Sequence, residues 1–224
     1  MEPKWILKLL TIKKIELNDL RILIVEDEPI IAEDIAALIE RNDFVVSAIV
    51  YTTENALEEL NTNLPDLVLL DINLNGEMDG LLIAEKINKH FNIPFIFITS
   101  YSDKSTLEKA KYTEPSGYIV KPFNEAGLYS TLEIALYNHA QKNKAKFPPL
   151  ALQKINKNLA DPVSEREFTL LQLIYDGKTN KQIAEMLFIS LNTVKKHINN
   201  TYLKLDASSR ANAIACLRRL MTDK

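Results

Sequence analysis

The sequence predicts two units: a five-stranded, parallel, doubly wound α/β sheet, followed by an all-α unit of four helices containing a helix-turn-helix. Three observations carry this. Five short apolar runs alternate with amphipathic helical patterns between Leu20 and about Ala140, the signature of a parallel sheet covered on both faces. The runs ILIV, LVLL and FIFI are continuously apolar, as strands buried on both faces must be. Charge also divides the 224-residue chain. Residues 1–149 hold 15 lysines and arginines against 23 aspartates and glutamates, and the remainder holds 12 against 7. An acidic half joined to a basic half suggests two units with different partners, the basic one suited to nucleic acid.

At the start, Lys4, Trp5, Ile6, Leu7, Leu9 and Leu10 loosely resemble a signal peptide, but Lys8 interrupts the run and no small-residue cleavage site follows. Residues 1–19 therefore read as a flexible arm rather than an export signal. Strand Leu20–Val25 precedes a helix at about Pro29–Arg41, with Pro29 in its first turn and Ile31, Ile35, Leu38 and Ile39 on one face. Strand Phe44–Val50 precedes a helix near Thr53–Asn61, with Thr53 as its cap. Strand Asp66–Leu70 precedes a loop and the helix Gly80–Phe91. Strand Pro94–Ile98 precedes a helix at Asp103–Tyr112, and strand Gly117–Val120 a long helix at Asn124–His139 that Asn124 caps. The first unit spans 20–141.

Residues 142–161 read as a linker, punctuated by Lys142, Lys144, Lys146, Pro148, Pro149, Lys154 and Lys157, with one helical turn near Leu150–Ile155. The second unit, 162–224, is helical throughout. Ser164 and Glu167 form a capping box before Glu165–Tyr175, and Gly177 ends that helix. Further helices follow from Thr179 or Asn180 to Leu187, from Ser190-Leu191-Asn192 to about Leu205, and over Ala207–Leu220.

The strand ends converge on a site. Ligands of such sheets bind at the carboxyl ends of the strands, and there the chain places Glu26-Asp27, Asp71, Thr99 and Lys121. Three carboxylates held together repel one another without a counter-charge. Magnesium relieves this with hard oxygen ligands, leaving room for a phosphoryl oxygen. Asp71, at the end of the central strand, is the nucleophile that forms an acyl phosphate. Lys121 pairs with the phosphoryl oxygens and Thr99 donates a hydrogen bond to one. Each residue alone is an ordinary strand-end or turn residue. Their joint occurrence at four strand ends makes the site.

The motifs ILIVEDEP, LVLLDINL, IFITS and GYIVKPF resemble those of the receiver domain of two-component response regulators, a CheY-like fold. The resemblance implies that Asp71 accepts phosphate from a sensor histidine kinase. It implies that Glu26, Asp27 and the backbone carbonyl of Asn73 join Asp71 around Mg2+, and that Lys121-Pro122 is cis. Thr99 and Tyr118 would form a switch pair, with Tyr118 turning inward as Thr99 moves to the phosphate. Tyr101 would shield the phosphate from water. The chain departs from the family after Asp71: the usual proline is absent, and the loop Ile-Asn-Leu-Asn-Gly-Glu-Met-Asp-Gly is one residue longer.

In the basic half, Ile183, Ala184, Leu187, Ile189, Val194, Ile198 and Leu205 form the core of a helix-turn-helix. Lys195, Lys196 and Asn199 then project outward, where a major-groove helix reaches bases. Lys181, Thr193 and Lys204 suit phosphate contacts. The stretch VSEREFTLLQLIYDGKTNKQIAEMLFISLNTVKKHINNTYLKL, followed by SSRANAI, resembles the LuxR-type domain of NarL/FixJ regulators. It implies double-stranded DNA as partner and a last helix used for homodimerisation.

An Asp-nucleophile phosphatase needs a second acid two residues after the nucleophile, and position 73 is Asn. A nucleotide-binding enzyme lacks its phosphate-cradling glycine loop after the first strand. Cys216, the single cysteine, has no internal partner, and no apolar run approaches the roughly 20 residues that span a bilayer. The expected protein is a cytoplasmic, phosphorylation-dependent transcription regulator and not an enzyme. The sequence leaves open whether receiver dimerisation or release of an inhibitory interface couples the two units.

Overall fold

A computed structural model describes residues 19–74, 79–100 and 104–222. Residues 1–18 of the expected arm, Tyr101 and the expected helix start at Asp103 lie outside these residues, as do positions 75–78 of the lengthened loop. Strands β1 (Leu20–Val25), β2 (Phe44–Val50), β3 (Leu67–Asp71), β4 (Phe95–Ser100) and β5 (Gly117–Lys121) form one parallel sheet in the order β2-β1-β3-β4-β5. This is the doubly wound order that places a ligand crevice at the carboxyl ends of β1 and β3. Helices α1 (Pro29–Glu40), α2 (Thr53–Thr62), α3 (Asp79–Lys86), α4 (Lys104–Tyr112) and α5 (Glu125–Lys144) alternate with the strands.

Strand alternation sorts the apolar side chains into two cores. Ile22, Ile24, Leu67, Leu69, Ile96 and Ile98 face Ile35 and Ile39 of α1 and Leu128 and Leu132 of α5. Leu23, Val25, Val68, Leu70, Phe95 and Phe97 face Leu60, Ile83 and Ala110 on the other side. Both faces are dry, which is why the strands carry no polar alternation.

Helix α6 (Leu152–Asn156) and helices α7 (Glu165–Tyr175), α8 (Asn180–Leu187), α9 (Leu191–Lys204) and α10 (Arg210–Thr222) build the second unit. Its core joins Ile155, Leu171, Ile174, Ile183, Val194, Ile198, Tyr202 and Leu217. The Ser164–Glu167 capping box is present, and Thr179 with Gln182 forms a second one at α8. Asn124 caps α5 by accepting from Gly127 N at 2.8 Å.

Beside shifts of one or two residues at other strand and helix ends, four boundaries differ from the sequence reading, each for a physical reason. Thr52, not Thr53, caps α2, because its hydroxyl accepts from Asn55 N while Thr53 donates to Asp79. The helix after the Asp71 loop is α-helical only to Lys86 and closes in a π-helical turn, Ile87–Phe91, ended by Asn92 in the left-handed region. Helix α5 continues to Lys144, into the stretch that reads as linker. Buried Asn143 faces inward there and is tied to Asn92, while Lys142 and Lys144 suit a helix C-terminus. Helix α10 starts at Arg210, with Ser209 Oγ accepting from Asn212 N.

The helical unit packs on α5 and on the amino-terminal edge of the sheet. Thr179 Oγ1 donates to Glu133 at 3.4 Å, Lys144 pairs with Asp176 at 2.7 Å, and Lys178 lies over the Tyr137 ring. Gly177 (φ +82°) ends α7 so close to α5 that a Cβ there would stand 2.5 Å from Leu136 O. A cavity of about 60 Å³ remains between the units, bordered by Phe91, His139, Tyr175, Ala211 and Ile214.

Candidate functional site

The carboxyl ends of β1, β3 and β5 bring three predicted residues into contact. Lys121 Nζ lies 2.7 Å from Asp71 Oδ2 and 2.7 Å from Glu26 Oε2. Asp71 Oδ1 accepts from Asn73 N at 2.9 Å. Register explains the meeting: Val25 pairs with Leu70, Asp71 with Ile98, and Ser100 with Lys121, so the strand ends form one rim. Gly80 admits the turn after Asp71; a Cβ there would stand 2.1 Å from Asp71 O. The peptide Lys121-Pro122 is cis.

Burial governs the electrostatics. Glu26 is 1% and Asp71 8% exposed. Burial pushes the Glu26 carboxyl up to about 7 despite its bond to Lys121, and the nearby Asp71 charge adds to the rise. Burial works against the Lys121 charge, but the hydrogen bonds to Asp71 and Glu26 outweigh it and raise its pKa. Glu26 Oε1 is buried without a hydrogen-bond partner among the described residues. Asp27 is half-buried at the same strand end and Asn73 is exposed. Among the described residues no three His, Cys, Asp or Glu side chains are gathered in metal-holding geometry. The counter-charge on Glu26 and Asp71 is Lys121.

Thr99 is buried beside this group, and its hydroxyl donates to Ser100 O at 3.1 Å. The Tyr118 ring turns inward against Phe97, with centroids 5.9 Å apart. Its hydroxyl is buried and has no hydrogen-bond partner among the described residues, and burial raises its pKa. The outward, solvated hydroxyl of an ordinary edge-strand tyrosine is therefore not what this chain has.

The predicted DNA-contacting residues separate. Lys196 is exposed and Asn199 half-buried on α9. Lys195 instead faces the sheet, with its ammonium 3.0 Å from Asp19 Oδ1 and 2.9 Å from Asp43 Oδ1. Burial disfavours that charge, and the bonds to Asp43 and Asp19 outweigh it. Lys181 lies 5.5 Å from the centre of the Tyr129 ring on α5. Thr193 joins the N-cap of α9 through Ser190 Oγ. Lys204 ties the end of α9 to Glu167 and to Pro162 O. Phe188, in the turn between α8 and α9, is 95% exposed at φ +54°.

Sequence reasoning missed the amino-terminal edge of the sheet. Asp19, Asp43 and Asp66 each directly precede a strand, and all three bind the helical unit. The signal was available: an aspartate stands at the foot of three successive apolar runs, mirroring the polar set at their other ends.

Two family models match the chain. Residues 22–133 match the response regulator receiver domain, and residues 161–217 match the bacterial regulatory proteins of the luxR family. A nitrate/nitrite response regulator protein homolog of Haemophilus influenzae is 32% identical over 201 residues, covering 88% of this chain and 95% of that protein. The transcriptional regulatory protein LiaR of Bacillus subtilis is 27% identical over 213 residues, covering 89% and 97%. The crystal structure of the signal receiver domain of a modulated diguanylate cyclase from Desulfovibrio desulfuricans covers 55% of this chain and 97% of its own, at 32% identity and TM-score 0.51. A pocket of carboxylates closed by a lysine at one end of a parallel sheet, a helix-turn-helix behind it, and full-length relatives of the same build agree: the chain belongs to the two-component response regulators that join a receiver domain to a LuxR-type DNA-binding domain and regulate transcription.

Proposed function

We propose that Asp71 is the phosphoacceptor and that its phosphorylation by a sensor histidine kinase frees the DNA-binding unit from the receiver. The observation that carries the first half is the Lys121 ammonium, 2.7 Å from both Asp71 and Glu26. An Asp71 oxygen attacks phosphorus as the bond to the donor breaks, and Lys121 and the Thr99 hydroxyl are placed to take the charge of the transferred oxygens. Glu26, Asp27, Asp71 and the Asn73 carbonyl would hold Mg2+, an all-oxygen set matching its preference, and the unpartnered Glu26 Oε1 supports this. Bound magnesium supplies charge neutralisation between the carboxylates and the incoming phosphoryl group. The Tyr118 ring already packs inward in the closed chain, so the inward turn expected to follow the Thr99 shift is not the motion available here. As partner of Thr99 in the switch, Tyr118 would respond through the surroundings of its buried hydroxyl.

The observation favouring release over receiver dimerisation as the coupling step is Lys195, a base-contacting candidate held between Asp19 and Asp43. The two carboxylates occupy the place a nucleic acid would take, so the closed chain binds DNA weakly. On release, Lys195, Lys196 and Asn199 enter the major groove, and Lys181 and Thr193 contact phosphates. Lys204 joins them only by exchanging its bonds to Glu167 and Pro162 O. The freed chain binds DNA as a homodimer through α10. We take 1–19 as an arm and 20–141 as receiver, with 142–161 as linker and 162–224 as DNA-binding unit in the sequence reading. The continuation of α5 to Lys144 and the burial of Ile155 of α6 in the core of the helical unit argue for a linker confined to 145–151 and a DNA-binding unit that starts at α6. No described helix is long and apolar enough to cross a membrane, and a cytoplasmic site of action fits a DNA-binding regulator.

The test is beryllofluoride binding with Mg2+, measured by calorimetry on the wild type and on Asp71→Asn. Binding by the wild type alone is expected. Equal binding by both removes Asp71 from the role.

A further inference from the structure

Asp66 stands at the foot of β3, the strand whose last residue is Asp71. Five residues at about 3.3 Å each separate the two carboxylates' backbones by about 17 Å, across the full height of the sheet. Asp66 is 3% exposed, and every bond it makes is to backbone. Its N–H donates to Arg21 O at 2.8 Å and its Oδ2 accepts from Arg21 N at 2.9 Å, locking the foot of β3 to β1. Its Oδ1 accepts from Ala211 N at 2.7 Å, in the other unit. Burial raises the Asp66 carboxyl, and these two backbone donors offset the rise only in part.

Ala211 is the second residue of α10, and a helix leaves its first four N–H groups without internal partners. The α10 cap, Ser209, serves Asn212 N. The receiver therefore completes the cap of a helix in the DNA-binding unit, with a carboxylate where the helix dipole favours negative charge. The first turn of α10 is fixed inside its own unit as well. Arg210, 4% exposed, donates to Ile174 O at 2.8 Å and Lys178 O at 2.6 Å, so a pull on Ala211 acts on the whole helical unit.

We propose that Asp66 is the positioning residue through which the closed interface reads Asp71, and that phosphorylation at one end of β3 weakens the cap at the other. This rests on the reading of Asp71 given above. It adds the element that couples the two ends. Coupling between two sites is reciprocal, so loosening the cap eases loading of Asp71 as well as binding of DNA.

The experiment uses the full chain and two variants, with a control for each. Asp66→Asn keeps one acceptor oxygen and loses the other with the charge. Ala211→Pro deletes the donor in the first turn of α10 and changes no receiver residue. Because Ala211 also packs against the receiver core and proline restricts Arg210 before it, Ala211→Gly, which keeps the N–H and removes only the packing, is measured beside it. Two affinities are measured: for beryllofluoride with Mg2+, and, without beryllofluoride, for a duplex selected by the loaded wild type. Both are expected to rise about tenfold in Asp66→Asn and in Ala211→Pro, within the range usual for coupled sites. Asp43→Asn, which breaks an interface bond outside β3, is the control: for an equal gain in DNA affinity it should raise beryllofluoride affinity less than Asp66→Asn does. An equal rise makes Asp66 one interface bond among several and overturns the proposal, as does no change in either affinity. Tighter DNA binding with unchanged beryllofluoride affinity in both Asp66→Asn and Asp43→Asn fails the release reading. A wild type that binds no beryllofluoride fails the phosphoacceptor reading instead. Should Asp66→Asn not fold by circular dichroism, Ala211→Pro decides alone.

Discussion

Neutralising one of the two carboxylates that hold Lys195 should switch DNA binding on without phosphate. Asp43→Asn keeps the shape and removes the charge 2.9 Å from the ammonium, while Asp19 keeps its contact at 3.0 Å. The side chains are 18%, 4% and 11% exposed for Lys195, Asp19 and Asp43, so solvent screens the pair weakly. At an effective dielectric of about 20, a contact near 3 Å carries about 5 kcal/mol of gross attraction. Desolvation takes back most of it. Close charge pairs across interfaces retain about 1.5–7 kcal/mol of coupling, and with Asp19 still in place the low end, about 2 kcal/mol, is the expected loss. At about 1.4 kcal/mol per tenfold, the closed-to-open ratio falls about 30-fold. If the closed state dominates, the apparent Kd for DNA falls by about the same factor. The assay is fluorescence anisotropy on a selected duplex at fixed salt, without magnesium or phosphate mimic. The Asp43→Asn/Asp19→Asn double variant should go further. An unchanged or higher Kd in both variants would mean that Lys195 is not masked by these carboxylates.

Other outcomes follow from single residues. Gly177→Ala places a Cβ 2.5 Å from Leu136 O on a backbone at φ +82°; it should cost more than about 1 kcal/mol, lower the melting temperature and loosen the docking of the helical unit. Tyr118→Phe removes a buried, unpartnered hydroxyl and should raise stability by about 1 kcal/mol; a lower melting temperature would reveal a hidden partner. His139, whose Nε2 bonds Asn92 O, is held at about 4, chiefly by burial and then by the Arg218 charge. An unfolded imidazole titrates near 6.5, so the folded chain binds fewer protons between these values. The His139 contribution is complete above about pH 6.5 and is lost as pH falls toward 4, by at most about 3 kcal/mol. Urea midpoints across that range should drop less in His139→Gln.

The sheet was legible because its strands are uninterrupted apolar runs, and the pocket because register forces the polar residues that end those runs onto one rim. Glu26, Asp71 and Lys121 meet as the pattern requires. The depth of Glu26 was not legible, since a carboxylate after a strand is usually solvated and here its neighbours cover it. The π-helical turn at Ile87–Phe91 was hidden because an extra residue in a helix leaves the apolar spacing nearly intact. The docking of the helical unit was the largest omission. Lys195 and Asp19 are 176 residues apart, and no local rule relates a lysine on a presumed groove-facing helix to an aspartate before the first strand. The same fact explains Lys204 and Lys181: an exposed-looking lysine in a helical pattern carries no mark of the carboxylate or ring that its fold brings to it.

Exposure of the full chain to acetyl phosphate and Mg2+, followed by mass spectrometry and DNA binding on the same sample, bears most directly on the whole scheme. One phosphoryl group should appear on the Asp71 peptide, with tighter DNA binding in proportion to its occupancy, and Asp71→Asn should show neither. Phosphorylation at another residue, or a modified Asp71 with DNA affinity unmoved, would contradict it.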